Sequence, residues 1–215
     1  MGRRGPRPRG RVRRAGGNGT PVLVARLWWV RHGPTHQTTI TGWRDVPADL
    51  SDTAALDRLD AYLPRDAIVV SSDLVRASAT ADRISGTRRR LPDTDQLREF
   101  DFGAWDGLSH DDVANRDPVL SRAFWDNPGD IAAPEGESFL DVATRVSAAI
   151  EALTVEHPGT DLIAVAHMGV ILGHIGAATG IGFQQALTHR IDPLSVTRLD
   201  RVEDGWSLAT VNHIA

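Results

Sequence analysis

Arg31 and His32 close a run of apolar residues, and Gly33-Pro34 break the backbone directly after them. Ser71 and Ser72 end a second apolar run, "AIVV", with Arg76 about one helical turn further on. His167 ends a third, "LIAVA". A polar pair at the end of a buried strand is costly unless it binds something. A guanidinium meets a tetrahedral dianion through its planar fork. One unit-charge attraction at contact distance is worth about 4 kcal/mol at intermediate dielectric, so two Arg make a strong anion site. Gly33 is expected to let the backbone approach an oxyanion, and Pro34 to fix the exit of the chain. Arg76 has a second reading, an ion pair with Asp73 or Asp82 on its own helix. His167 also has one, a satisfied core histidine.

The flanking elements must bring these residues to one place. Val22–Val30 reads as a strand with Arg26 its only charge. Residues 51–62 read as a helix capped by Ser51, with Leu56, Leu59 and Leu63 on one face. "AIVVSS" (67–72) is a short buried strand, followed by a helix from a cap at Asp73 to about Ile84. One or two short helices surround Pro118 within 108–126. The clearest helix covers 136–153, where Phe139, Val142, Val146, Ile150 and Leu153 share a face and Ser138 with Asp141 resembles a capping box. "DLIAVA" (161–166) is another buried strand, and a Gly-rich helix follows over 169–179. Runs at 194–199 and 206–211 alternate as strands around Glu203-Asp204-Gly205. Strands alternating with helices predict an α/β fold, a three-layer sandwich whose mainly parallel sheet has helices on both faces. Ligands in such sheets bind beyond the carboxyl ends of the strands, where both Arg and both His would meet.

The 215 residues suit one domain, and no internal repeat or later boundary interrupts residues 21–215. Residues 1–20, with seven Arg, no acid and little to bury, are expected to form a disordered tail. The rest of the chain sets 17 Arg against 28 acids, a poor surface for nucleic acid. There is no Lys, so every cation is Arg, and no Cys, so thiolate and disulfide chemistry are excluded. No apolar run is long enough to span a bilayer. His32 and His36 have the spacing of a helical metal pair, but Gly33-Pro34 forbid a helix there. The remaining His residues show no partner pattern, and the Trp residues read as core and loop anchors.

The tripeptide R-H-G after the first strand, within "RHGPT", resembles the histidine phosphatase superfamily in its phosphoglycerate-mutase-like branch. The resemblance continues in order through "TGWRDVPADLS", "VVSSDLVRASATA", "LREFDFGAWDGL", "PEGESFLDVATRV", "LIAVAHMGVI" and "LSVTRLDRVEDGWSLATVN", covering about 22–212. It implies transfer through a phosphohistidine. His32 would be the nucleophile, Arg31, Arg76 and His167 would hold the phosphoryl oxygens, and Glu99 would be the proton donor, with Asp101 and Asp106 as nearby alternatives. The physics agrees: histidine attacks only when neutral, and adjacent Arg charges favour the neutral ring. Phosphoryl transfer spreads charge over equatorial oxygens, which cationic donors stabilise without a metal.

Three features depart from the family pattern. Thr38 stands where an Asn that touches the phosphoryl group is common, and Met168 follows His167 where Gly is commoner. The segment between "LREFDFGAWDGL" and "PEGES" is short, with Arg116 and Arg122 its only Arg residues, whereas true mutases carry a longer basic insertion there. The expectation is a cytoplasmic, metal-independent phosphatase acting on a small phosphomonoester, without cofactor, metal, nucleic acid or membrane. A phosphoglycerate mutase and a catalytically idle phosphate-binding regulatory module are the alternatives.

Overall fold

The structure is a computed structural model that describes residues 25–203 and 205–215. The elements are β1 (Ala25–Arg31), α1 (Thr53–Tyr62), β2 (Ile68–Ser71), α2 (Val75–Ser85), β3 (Arg89–Arg90), α3 (His110–Arg116), α4 (Pro118–Asp126), α5 (Phe139–Glu156), β4 (Leu162–Ala166), α6 (Met168–Thr179), α7 (Phe183–Ala186), β5 (Val196–Val202) and β6 (Gly205–His213). The expected tail over residues 1–20, the start of the first strand before Ala25 and Asp204 of the late turn lie outside the described residues.

The six strands form one sheet in the order β3-β2-β4-β1-β5-β6. The β3–β2, β2–β4 and β4–β1 pairings are parallel, and β5 and β6 add an antiparallel edge. β4 therefore lies between β1 and β2, and Ala164 is flanked by Trp29 on one side and Val70 on the other. The two-residue alternation of strand side chains divides the core. Trp28, Val30, Val69, Ile163 and Val165 pack against α1 and α2 through Leu56, Leu59, Ala77, Ala81 and Ile84. Leu27, Trp29, Val70, Leu162 and Ala164 face the other way, onto Val142, Val146 and Ile150 of α5 and Ile171 and Ile175 of α6. Helices cover both faces, as expected, and the described parts of the chain form a mixed sheet of six strands with seven helices.

Local signals explain most boundaries. Ser138 accepts from the Asp141 amide while the Asp141 carboxylate takes the Ser138 amide, so the capping box that starts α5 is complete. Pro118 separates α3 from α4 and occupies the first turn of α4, where its missing N–H costs nothing. Two expected caps are displaced. Asp52, not Ser51, caps α1 by accepting from the Ala55 amide at 2.9 Å. α2 begins at Val75 with no side-chain cap, because Asp73 is held by Arg98 at 2.8 and 2.6 Å. A bidentate guanidinium outcompetes backbone amides for that carboxylate. Two arginines carry no apolar period, so β3 was not foreseen.

Candidate active site

The carboxyl ends of β1, β2 and β4 deliver Arg31 and His32, Ser71 and Ser72, and His167 to one edge of the sheet. The register makes this unavoidable: Arg31 pairs with Ala166, the residue before His167, and Ser71 pairs with Val165. His32 and His167 are both buried, with ring centroids 5.0 Å apart. The Nδ1–H of His32 donates to the Gly33 carbonyl at 2.6 Å, which leaves Nε2 as the lone-pair nitrogen. Burial, reinforced by the charges of Arg76 and Arg31 and only partly offset by that hydrogen bond, pushes the His32 pKa down to about 3. The ring is neutral and able to attack across the ordinary pH range.

Arg76 is buried without a carboxylate partner. Its Nε donates to His167 Nδ1 at 3.2 Å and its terminal nitrogens donate to the carbonyls of Arg44 (3.0 Å) and Gly42 (2.7 Å). Neither Asp73 nor Asp82 takes it, since these carboxylates hold Arg98 and Arg90. Arginine can only donate, so His167 Nδ1 carries a lone pair and its Nε2 carries the proton. That Nε2 is buried and unpartnered. Burial also holds the His167 pKa well below the usual histidine range, with His32 and Arg76 adding to the effect. Arg31 donates to the Ile191 carbonyl at 2.6 Å, while its Nε is buried without a partner. Burial lowers both guanidinium pKa values and the Glu99 carboxyl opposes that shift. A buried cation without a counter-charge is expensive, so the site is built to receive an anion.

Glu99 is the only carboxylate lining the shared cavity among the described residues, which has a volume of about 210 Å³ and is also lined by Arg31, His32 and Arg76. Its Oε1 accepts from the Phe100 amide at 3.0 Å and its Oε2 from the Gly169 amide at 3.1 Å. Burial raises its pKa, and the two amides and two Arg charges oppose the rise without cancelling it. Its backbone carbonyl is fixed by the Trp43 indole N–H (2.8 Å) and by Arg145 (2.9 Å). Arg98 stacks over Trp43, 4.9 Å from the ring centroid. Gly169 is required by space: a Cβ there would fall 2.5 Å from Glu99 Oε1 and from Phe100 Cδ2.

The two alternative acids have other work. Asp106 accepts from the amides of Gly42 (3.1 Å) and Arg44 (2.9 Å), and so clamps the loop whose carbonyls hold Arg76. Asp101 accepts from the Gly103 amide at 2.9 Å. Two expectations about the first loop are corrected. The Gly33 amide is spent on Thr80 Oγ1 at 3.0 Å, so it is no oxyanion donor; a Cβ at Gly33 would crowd Leu50 Cδ2 at 2.7 Å and the Asp49 carbonyl at 3.2 Å. Thr38 is exposed and does not line the cavity; Thr35, Gln37, Thr39 and Thr41 do. Met168 does line it. His36 pairs with Asp49 at 3.0 Å. His110 and Trp125, read from the sequence as surface or anchoring residues, line the cavity. The described residues hold no cluster of three or more His, Asp and Glu suited to a metal ion, and no helix among them is long and apolar enough to cross a membrane.

Comparison with known proteins matches this arrangement to a family. The family model for the histidine phosphatase superfamily (branch 1) matches residues 27–214. A bifunctional protein of Mycobacterium tuberculosis is 33% identical over 211 residues, 89% of this chain and 54% of the relative, so the chain spans about half the length of that protein. A metal-independent phosphoserine phosphatase of Arabidopsis thaliana is 32% identical over 207 residues, covering 89% of this chain and 84% of that one. The solved structure of Bacillus stearothermophilus YhfR superposes with a TM-score of 0.80 at 25% identity, covering 89% of this chain and 98% of that one.

Proposed function

This chain belongs to the histidine phosphatase superfamily, and from that premise we propose that it hydrolyses a phosphomonoester through a phosphohistidine on His32. One observation carries the reading. Arg31 with its unfilled Nε, a buried Arg76 without a carboxylate partner and His32 with its free Nε2 line one cavity with a single carboxyl, Glu99, and the unpartnered Nε2 of His167 belongs to a ring 5.0 Å from that of His32. In the first step His32 Nε2 attacks phosphorus, the P–N bond forms and the P–O bond to the leaving alcohol breaks. Glu99, protonated at the start, gives its proton to the departing oxygen. Arg31, Arg76 and His167 hold the equatorial oxygens, where charge accumulates. In the second step water attacks the phosphohistidine, Glu99 takes the water proton, and phosphate leaves with His32 restored. Arg and His supply the charge stabilisation that a metal gives elsewhere, so the reaction runs without one. The domain that does this is residues 21–215, and the compartment is the cytoplasm.

A mutase must also hold a second anionic group, and among the described residues no cation lines the cavity beyond Arg31 and Arg76. Hydrolysis is the better fit. The test separates His32 from Glu99 in transient kinetics, run in excess chelator. His32→Ala should form no phosphoenzyme and lose turnover by roughly 10⁴-fold or more. Glu99→Gln should slow phosphoenzyme formation by about 10²- to 10⁴-fold with an alkyl phosphate, whose leaving oxygen needs a proton. With nitrophenyl phosphate the first step should be spared and a burst should precede slow hydrolysis. Turnover that disappears in chelator and returns with a divalent ion would refute the metal-free mechanism. A covalent phosphoenzyme in His32→Ala would refute the nucleophile.

A further inference from the structure

Beyond the phosphoryl end, the cavity is lined by two kinds of surface. One is aromatic and aliphatic, made by Phe102, Trp125, Phe139, Leu172 and Leu187. Phe102 and Trp125 lie 6.3 Å apart at 36°, and Trp125 and Phe139 lie 6.2 Å apart at 77°. Phe139 and Leu172 belong to the buried core, but Phe102, Trp125 and Leu187 are only half-buried and leave apolar area uncovered. His110 extends this surface edge-on to Trp125 at 5.7 Å. The other surface offers neutral hydrogen-bonding groups: Thr35, Gln37, Thr39 and Thr41.

The charge inventory is as informative. Arg31 and Arg76 are the only guanidiniums lining the cavity among the described residues, and both are committed to the phosphoryl group. Three nearby cations are engaged elsewhere: Arg44 with Asp106 and Thr39, Arg98 with Asp73, and Arg145 with Glu137. Arg122 is exposed and lines the adjoining pocket behind His110 and Trp125, not this cavity. A carboxylate or second phosphate on the leaving group would be desolvated beside Glu99 with no further guanidinium lining the cavity to meet it.

We infer that the leaving alcohol of the natural substrate is uncharged and carries a flat apolar ring, which covers Phe102 and Trp125 while its hydroxyls meet Thr35, Thr39 and Gln37. This rests on the phosphatase reading above. It sets this chain apart from its relative named as a phosphoserine phosphatase, since the leaving group of phosphoserine carries a carboxylate and an ammonium.

Two matched substrate pairs test it, with nitrophenyl phosphate as the reference for chemistry. Glycerol 3-phosphate and 3-phosphoglycerate differ by a hydroxymethyl in place of a carboxylate. Here kcat/KM should favour the uncharged member by roughly tenfold or more, the factor for one unmet charge discounted for solvent access. A nucleoside 5′-monophosphate and ribose 5-phosphate differ by the ring, and the ring should raise kcat/KM by roughly fivefold or more. Trp125→Leu should shrink that second ratio towards one, and Phe102→Leu is the second variant should Trp125→Leu fail to fold. Equal or better turnover of 3-phosphoglycerate, or no advantage from the ring, would overturn the inference and leave the phosphatase reading standing. Failure to cleave every substrate, nitrophenyl phosphate included, would remove the phosphatase reading and this inference with it.

Discussion

Replacing Gly169 by alanine adds one methyl group at the second residue of α6. By helix propensity alone the change stabilises by up to about 1 kcal/mol. The surroundings oppose it. The new Cβ would sit 2.5 Å from Glu99 Oε1 and 2.5 and 2.6 Å from Phe100 Cδ2 and Cε2. Carbon contacts relax at about 3.5 Å, so the shortfall is about 1 Å. Phe100 is buried and packs edge-to-face on Phe139 with centroids 4.7 Å apart, which leaves its ring little retreat. The Glu99 carbonyl is pinned by Trp43 and Arg145, so the carboxyl group takes most of the displacement. A misplacement of about 1 Å in a reacting group costs about 10²-fold. Gly169→Ala should therefore cut kcat for an alkyl phosphate by about 10²-fold and largely spare phosphoenzyme formation from nitrophenyl phosphate. Overpacking of about 1–3 kcal/mol, less the propensity gain, should lower the melting temperature by a few degrees. Wild-type turnover of the alkyl phosphate at an unchanged or higher melting temperature would refute the reasoning.

Asp106→Asn leaves the Gly42 and Arg44 amides to compete for one acceptor, which loosens the loop that holds Arg76. Alkyl and nitrophenyl phosphates should both slow, by a similar factor of about tenfold; a loss confined to the alkyl substrate would make Asp106 the acid. Stability should fall as pH drops from 6.5 towards 4, because burial pushes the pKa of His174 down to about 4 while the unfolded chain protonates near its ordinary value of 6.5. The unfolded state binds the extra proton throughout that window, so acid favours it. His174→Gln keeps an acceptor for the Trp29 indole N–H, bonded to His174 Nδ1 at 3.2 Å, and should reduce the stability lost between pH 7 and 4.5 by about 2 kcal/mol. Denaturant titrations at the two pH values measure this, and an unchanged pH dependence would refute it.

The convergence of Arg31, His32, Ser71, Ser72 and His167 was legible because a strand that stops abruptly in Arg-His, Ser-Ser or His states where its tip must be. Those tips converge once the three strands are neighbours. The sequence could not show that Gly33 spends its amide on Thr80, since Thr80 is 47 residues away. Ser51 and Asp52 are adjacent cap candidates for α1 that local sequence does not separate, and Asp73 is drawn away from the start of α2 by Arg98, 25 residues on. Glu99 was visible only through the family resemblance. Its position depends on the Gly169 amide, 70 residues on, and on a loop with no periodic signal. The aromatic surface was hidden for the same reason. Nothing local tells Trp125 on α4 that it will line the same cavity as Arg31 and Glu99.

The central position of β4 also governs when the site can exist. The chain makes β1 and β2 first, yet the two are not neighbours: a gap one strand wide separates them, with about 10 Å between their axes. Until residues 161–169 emerge and enter that gap, Arg31 and Arg76 have no shared anion pocket, His32 has no companion ring, and Glu99 lacks the Gly169 amide. A nascent chain that has not yet synthesised β4 thus lacks the assembled site, and the facing edges of β1 and β2 wait for a partner from late in the sequence. Such long-range closure slows folding. It also ties assembly of the candidate site to completion of the sheet, so a chain cut before β4 carries His32 without all the groups that surround it.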